Sequence, residues 1–232
     1  MKPLKRWDIW LFLSSAALFL GFPQLDLLVA QLFYDPQRGF YLAKAAPVEG
    51  LYRAFAYAHF VVLLSLLSLL AAAYRAPQRL SRRVIAYLFA VLLLGPGLLV
   101  NEVLKNHMDR ARPRQITMFG GDKEFTPALV PADQCERNCS FVSGHAAIGF
   151  YLSALAWVAG RRRRWLLGGI ALGGLVGLCR MAQGGHFLSD IVFAFWSVYL
   201  TAALLAWPFF GRAAAGGLER AAGRKGLVDP GR

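Results

Sequence analysis

Residues 54–74 run for 21 positions without a charged side chain, and no other feature limits the fold so strongly. A bilayer core about 30 Å thick is crossed by about 20 helical residues rising about 1.5 Å each, so this run reads as a membrane-spanning helix. Residues 84–104 match it in length with one charge, Glu102, and further apolar runs at 9–22, 141–160, 165–179 and 191–210 make a set of six. The expected fold is therefore all-α: a polytopic membrane protein of six transmembrane helices, in one domain over 1–232, with no linker and no internal repeat. The composition agrees, since 57% hydrophobic and 17% charged residues are too apolar for a soluble domain of this size.

Local signals set the details. Lys2, Lys5 and Arg6 before the 9–22 run have the form of a secretory signal, but Gly21-Phe22-Pro23 is a poor cleavage site, so an uncleaved first span is expected. Pro23 ends it, and 24–34 is too short to cross, which suggests an interfacial helix. Gly95-Pro96-Gly97 should kink the third span. Gly169, Gly173 and Gly177 recur every four residues in the fifth, a face that permits close helix packing.

Net charge is +13, and its placement excludes a nucleic-acid footprint. The N-terminus, 75–83, 161–164 and the tail hold 16 of the 26 Lys and Arg but only three of the 13 acids. By the positive-inside rule that face is cytoplasmic, both termini included, and it can also attract anionic lipid. Trp7, Trp10, Trp157, Trp165 and Trp207 are expected near the same interface. The long loop 105–140 and the turn 180–186 then face outward. Outside, Cys135 and Cys139 meet an oxidising compartment, where a disulfide between them is expected and two free thiols are the alternative. With Cys179 they fit neither a disulfide-rich scaffold nor a zinc pattern.

Chemistry concentrates on that outer face. Within 179–190, His186 and Asp190 are four apart, so a helix from near Phe187 places them on one side. The Asp is expected to accept the Nδ1–H of His186, leaving Nε2 free. Arg180 precedes the flexible Gly184-Gly185 pair, and its guanidinium fork suits phosphate oxygens. The plainer reading is a structural ion pair around a hydrogen-bonded histidine. Two more stretches arrive there: Lys105 to Arg112-Pro113, and Ser143-Gly144-His145 opening the fourth span. Ser143 is a good N-cap, Gly144 lets an anion approach the helix amides, and His145 can deliver a proton. Singly, these are also a snorkelling lysine, a loop corner and an ordinary cap. Together, three cations, a helix N-terminus and two histidines describe a phosphate site.

In these three blocks the chain resembles the type 2 phosphatidic acid phosphatases, whose pattern is K-x6-RP, PSGH and SR-x5-H-x3-D. Here the blocks run Lys105 to Arg112-Pro113, Ser143-Gly144-His145, and Arg180 through His186 to Asp190, with Val142 and Cys179 in place of the family's proline and serine. The resemblance implies a helical core of that type, with His186 as nucleophile, Asp190 orienting it and His145 as proton donor. It implies phosphate binding by Lys105, Arg112, Ser143, Gly144 and Arg180, with no metal and no cofactor. Cys179 is expected to weaken one phosphate contact.

The expected activity is a metal-independent lipid phosphatase in the inner membrane, its site facing the periplasm, acting on a phospholipid or lipid diphosphate. Lipid A, undecaprenyl diphosphate, phosphatidylglycerol phosphate and phosphatidic acid are the candidate substrates, and 138–145 is similar to bacterial lipid A phosphatases. A lipid phosphotransferase would use the same intermediate. A transporter or scaffold fits less well, because polar residues gather at one interface rather than at mid-bilayer breaks. The related vanadium haloperoxidases are soluble, unlike a chain with six apolar runs. Arg114, Lys123 and Arg137 are candidates to read a head group, or are simply solvated.

Overall fold

The computed structural model describes residues 6–76 and 81–225, without the side chains of Arg6 and of 212–225. Lys2, Lys5, Arg79 and the side chains of Arg6 and of all five basic residues of the tail therefore lie outside what is described. The chain opens with α1 (Arg6–Gly21), turns at Pro23, and runs through α2 (Gln24–Gln31) at 81° to it. A short antiparallel hairpin follows, β1 (Tyr34–Asp35) on β2 (Gly39–Phe40), with Tyr34 opposite Phe40. Asp35 Oδ1 accepts from the amides of Gln37 and Arg38, both at 2.9 Å, which closes its turn.

α3 (Ala46–Arg75) is the longest-exposed apolar helix, with Tyr57, Phe60, Val61, Leu64 and Leu67 all open. Large bare apolar surface of this kind marks contact with lipid. The next helix is continuous from Arg82 to His107 but changes type: α4 (Arg82–Leu92), a widened π-helical stretch (Leu93–Leu104), and α5 (Lys105–His107). Pro96 explains the change, because it has no N–H to donate and its ring crowds the preceding turn. Asn101 Nδ2 donates to the carbonyl of Pro96 itself at 2.8 Å, a side-chain bond within the altered stretch.

The centre of the bundle is α6 (Gly144–Phe150), which passes into a 3-10 stretch (Tyr151–Trp157). Around it stand α7 (Arg162–Ala182) and α8 (Leu188–Lys225). Ala146, Ala147, Ala154, Ala194, Val198 and Ala202 have no exposed surface. The α7 glycines bring backbones together: a Cβ would lie 2.6 Å from Ser153 N at Gly169, 2.2 Å from the Phe150 ring at Gly173, and 2.4 Å from Ile191 at Gly177. Buried hydroxyls find carbonyls, Tyr87 donating to Ala202 at 2.9 Å and Tyr151 to Leu88 at 2.8 Å.

Among the described residues, four helices are each long and apolar enough to span: α3, Arg82–His107, α7 and the first 24 residues of α8. The bent pair α1–α2 raises the number to five at most, where six were expected. The run at 141–160 makes the difference. Its seven α-helical and seven 3-10 residues are surrounded by protein rather than lipid, so they need not form one full-length apolar helix. Trp157 is only 5% exposed, covered by protein for the same reason, whereas Trp7, Trp10 and Trp207 are open.

Candidate active site

Three chain segments meet at one end of the bundle. Lys105 begins α5, and Arg112 follows in extended backbone before a 3-10 turn (Pro113–Gln115). Ser143 caps α6, its Oγ accepting from Ala146 N at 3.4 Å while its own N–H donates to Asp190 O at 3.2 Å. Arg180 is in the last turn of α7, His186 in the link 183–187, and Asp190 in the first turn of α8. Lys105, Arg112 and Arg180 are each less than one-tenth exposed, a rare condition for such side chains unless something balances their charge.

Gly144 is needed for packing as well as for its open amide. A Cβ there would sit 2.5 Å from Asn101 Oδ1, on the π-helical stretch. The Pro96 break thus presents Asn101 to α6, and only glycine makes room for it.

The two histidines are held differently. His186 Nδ1 lies 2.7 Å from the carbonyl of Ser140 and 3.5 Å from Asp190 Oδ2. A carbonyl can only accept, so Nδ1 carries the proton and Nε2 keeps its lone pair. The expected bond to Asp190 is thus made to Ser140 instead, with the same tautomer as outcome. Burial pushes the His186 pKa down to about 3; the nearby Asp190 opposes this and the Arg180 and Arg112 charges add to it. At neutral pH the imidazole is uncharged and nucleophilic. His145 stacks on Tyr52 with centroids 5.0 Å apart, and its Nε2 is buried without a partner among the described residues. An orphaned buried nitrogen facing cations suits a bound ligand.

Asp190 is occupied elsewhere. Its Oδ2 accepts from Ser140 Oγ at 2.6 Å and from Phe187 N at 2.8 Å, the latter closing the start of α8. Its Oδ1 accepts from Arg110 at 2.7 Å. Arg110, only 1% exposed, also donates to Asp26 Oδ2 at 2.8 Å, and its Cζ lies 4.3 Å from the Phe187 ring centroid. Asp26 in turn accepts from Ser189 N at 2.8 Å and from Ser189 Oγ. A buried chain of charge therefore ties α2 to the first turn of α8.

Arg110, Asp26, Ser140, Tyr52 and Asn138 are site residues that motif spacing did not reveal. Asp26 left a signal, as the only charged residue between 9 and 34. Tyr52 touches both chemistries, with Arg180 Cζ 4.6 Å from its centroid on top of the His145 stack. Asn138 holds two anchors: its Oδ1 accepts from Lys105 Nζ at 2.7 Å and its carbonyl from Arg112 at 2.6 Å. It lies within the ring closed by a Cys135–Cys139 disulfide, at φ +53°. Arg180 donates to Gln183 as well. Cys179 is a half-buried free thiol.

Two cavities open on this group. A cavity of about 270 Å³ is walled by Phe55, Leu63, Leu92, Leu93 and Pro96, and Lys105, Gly144 and His145 stand at its head. The other, about 420 Å³, is polar and takes in Arg112 and Arg180. Arg114 and Arg137 line the polar cavity, and Lys123 does not. Among the described residues no group of three or more His, Cys, Asp or Glu side chains is arranged to hold a metal ion.

The model of the PAP2 superfamily matches residues 83–213, which include every motif block. A lipid A 4'-phosphatase of Francisella tularensis subsp. novicida (strain U112) is 38% identical over 198 residues, 83% of this chain and 86% of that protein. A lipid A 4'-phosphatase of Rhizobium leguminosarum is 32% identical over 218 residues, 85% of this chain and 93% of that protein. No solved structure matches the chain. Apolar helices, three motif blocks converging on a buried cationic site, and relatives matched along most of their length agree, and the chain belongs to the PAP2 superfamily.

Proposed function

We propose that the chain is a membrane phosphatase that removes a phosphate monoester from lipid A, working at the periplasmic face of the inner membrane. The observation that carries this is a neutral His186, fixed through Nδ1, beside three buried cations and a second histidine with an unpartnered Nε2. His186 Nε2 attacks phosphorus and forms a P–N bond. The P–O bond breaks, its electron pair goes to the leaving oxygen, and His145 supplies the proton. Burial and the charges of Arg180, Lys105 and Arg112 hold the His145 pKa down to about 3, and it gains that proton once the bound phosphate dianion offsets those charges. Lys105, Arg112, Arg180, the Ser143 hydroxyl and the Gly144 amide stabilise the equatorial oxygens. Water, deprotonated by His145, then attacks phosphorus; the P–N pair returns to His186 and phosphate leaves.

Lipid A is the favoured substrate because both relatives carry that name and the polar cavity has room for a large head group. The outward orientation rests on the 16-to-3 balance of basic and acidic residues on the other face. Phosphate release by the purified chain is measured from lipid A, undecaprenyl diphosphate, phosphatidylglycerol phosphate and phosphatidic acid. Lipid A should give the highest kcat/KM; release from none of the four would refute the phosphatase, and a clear preference for another would refute the substrate.

A further inference from the structure

Transfer of one phosphoryl group uses Lys105, Arg112 and Arg180, yet the polar cavity holds more positive charge than that task requires. Arg114 and Arg137 line it together with Arg112 and Arg180. The acid on its wall, Glu49, is already taken, its Oε1 accepting from Arg53 Nε at 2.9 Å. The other polar side chains there, Tyr52, Gln115, Asn138 and Gln183, carry no full charge. Neither Arg114 nor Arg137 has an acidic partner among the described residues. Like charges facing one cavity repel, so the arrangement favours a bound anion.

Both arginines sit on backbone that is fixed rather than free. Arg114 N donates to Gly184 O at 3.1 Å, which ties it to the link carrying His186. Arg137 lies inside the disulfide ring between Cys135 and Cys139, the same ring whose Asn138 holds Lys105 and Arg112. Their backbone positions are thus set by the elements that set the reaction site, and only their exposed side chains remain to be ordered on binding. Two phosphate anchors and two further guanidinium groups lining one cavity suit a head group with two anions.

We propose that Arg114 and Arg137 form a subsite for a second anionic group, a phosphate or carboxylate, on the head group of the same lipid whose phosphate is removed. This rests on the phosphatase reading and adds a rule of substrate choice to it. A lipid with one phosphate monoester and an otherwise neutral head group leaves both arginines unpaired. A head group with a second phosphate engages them while the first meets His186.

The test uses the full-length protein in neutral detergent micelles and two synthetic diglucosamine lipids that differ only in a second phosphate. For the wild type, kcat/KM should be roughly tenfold higher for the two-phosphate lipid, the effect of one charge-assisted contact. Arg114→Gln combined with Arg137→Gln should bring that ratio close to one. A wild-type ratio near one, or a raised ratio that the double substitution leaves intact, overturns the subsite. Doping the micelles with phosphatidylglycerol separates a bound head group from general attraction to an anionic surface. The advantage should persist under doping; its disappearance assigns the arginines to the lipid surface and overturns the proposal. The affinity of both lipids for His186→Ala protein is measured as well. Absence of phosphate release from either lipid defeats the phosphatase reading, whereas equal affinity for the two defeats the subsite.

Discussion

Arg110→Met removes the cation shared by two buried carboxylates and leaves both with neutral donors only. Arg110 donates to Asp26 at 2.8 Å and to Asp190 at 2.7 Å, with all three side chains at most 1% exposed. It also donates to Thr126 O at 2.8 Å and Ser189 Oγ at 2.9 Å. Two charge-assisted bonds are worth about 1.5–3 kcal/mol each, and a buried ion left alone costs about 3–5 kcal/mol. The substitution should therefore destabilise the protein by about 3–5 kcal/mol, read as a lower unfolding midpoint in detergent. Asp190 keeps Ser140 Oγ and Phe187 N as donors, so protein that remains folded should retain phosphate binding while kcat falls. The sharpest readout is the cycle with Asp26→Asn. In the wild-type background that change should destabilise, and beside Arg110→Met it should stabilise, because it then removes an orphaned charge. A coupling of about 1–3 kcal/mol is expected. Equal effects of Asp26→Asn in the two backgrounds would refute the shared-cation account.

Three further outcomes follow from the geometry. His145→Ala should slow release from lipid A by about 10²–10⁴-fold, with much less loss on p-nitrophenyl phosphate, whose leaving group needs no proton; equal losses on both would rule out the acid role. Asn138→Gly keeps the left-handed backbone but removes the Oδ1 that accepts from Lys105, so KM should rise about tenfold at most, with kcat changing less; an unchanged KM would remove Asn138 from the site. Folding stability should fall as pH drops from about 6.5 to about 3, because unfolded His186 binds a proton near 6.5 and the folded one resists to about 3. His186→Asn should flatten that part of a midpoint-against-pH curve, and an unaltered slope would contradict the buried neutral imidazole.

The motif residues were legible because each block keeps its chemistry within a few positions of one chain segment. Lys105, Arg112, Ser143, Gly144, His145, Arg180, His186 and Asp190 need only their segments to converge, and helix ends at one membrane face bring that about. The partners were less legible because they act across the fold. Asp26 reaches Arg110 over 84 positions, and Tyr52 meets His145 and Arg180 only because α3 lies against α6 and α7. The Ser140 carbonyl that accepts the hydrogen bond from His186 Nδ1–H is backbone, which no residue pattern records. The described residues offer four or five spans rather than the six expected, for a related reason. Hydropathy treats every apolar run as facing lipid, and residues 144–157 face protein, where a short helix of mixed type is enough.

The central claim is a phosphoryl group carried on His186, and trapping that group tests it most directly. Purified protein is mixed with ³²P-labelled lipid A, quenched without acid within the first turnover, digested and mapped. The account predicts label on the peptide containing His186, absent in His186→Ala and accumulating when water attack is slowed by His145→Ala on a substrate with a good leaving group. Label on any other peptide, or full turnover by His186→Ala, would contradict it.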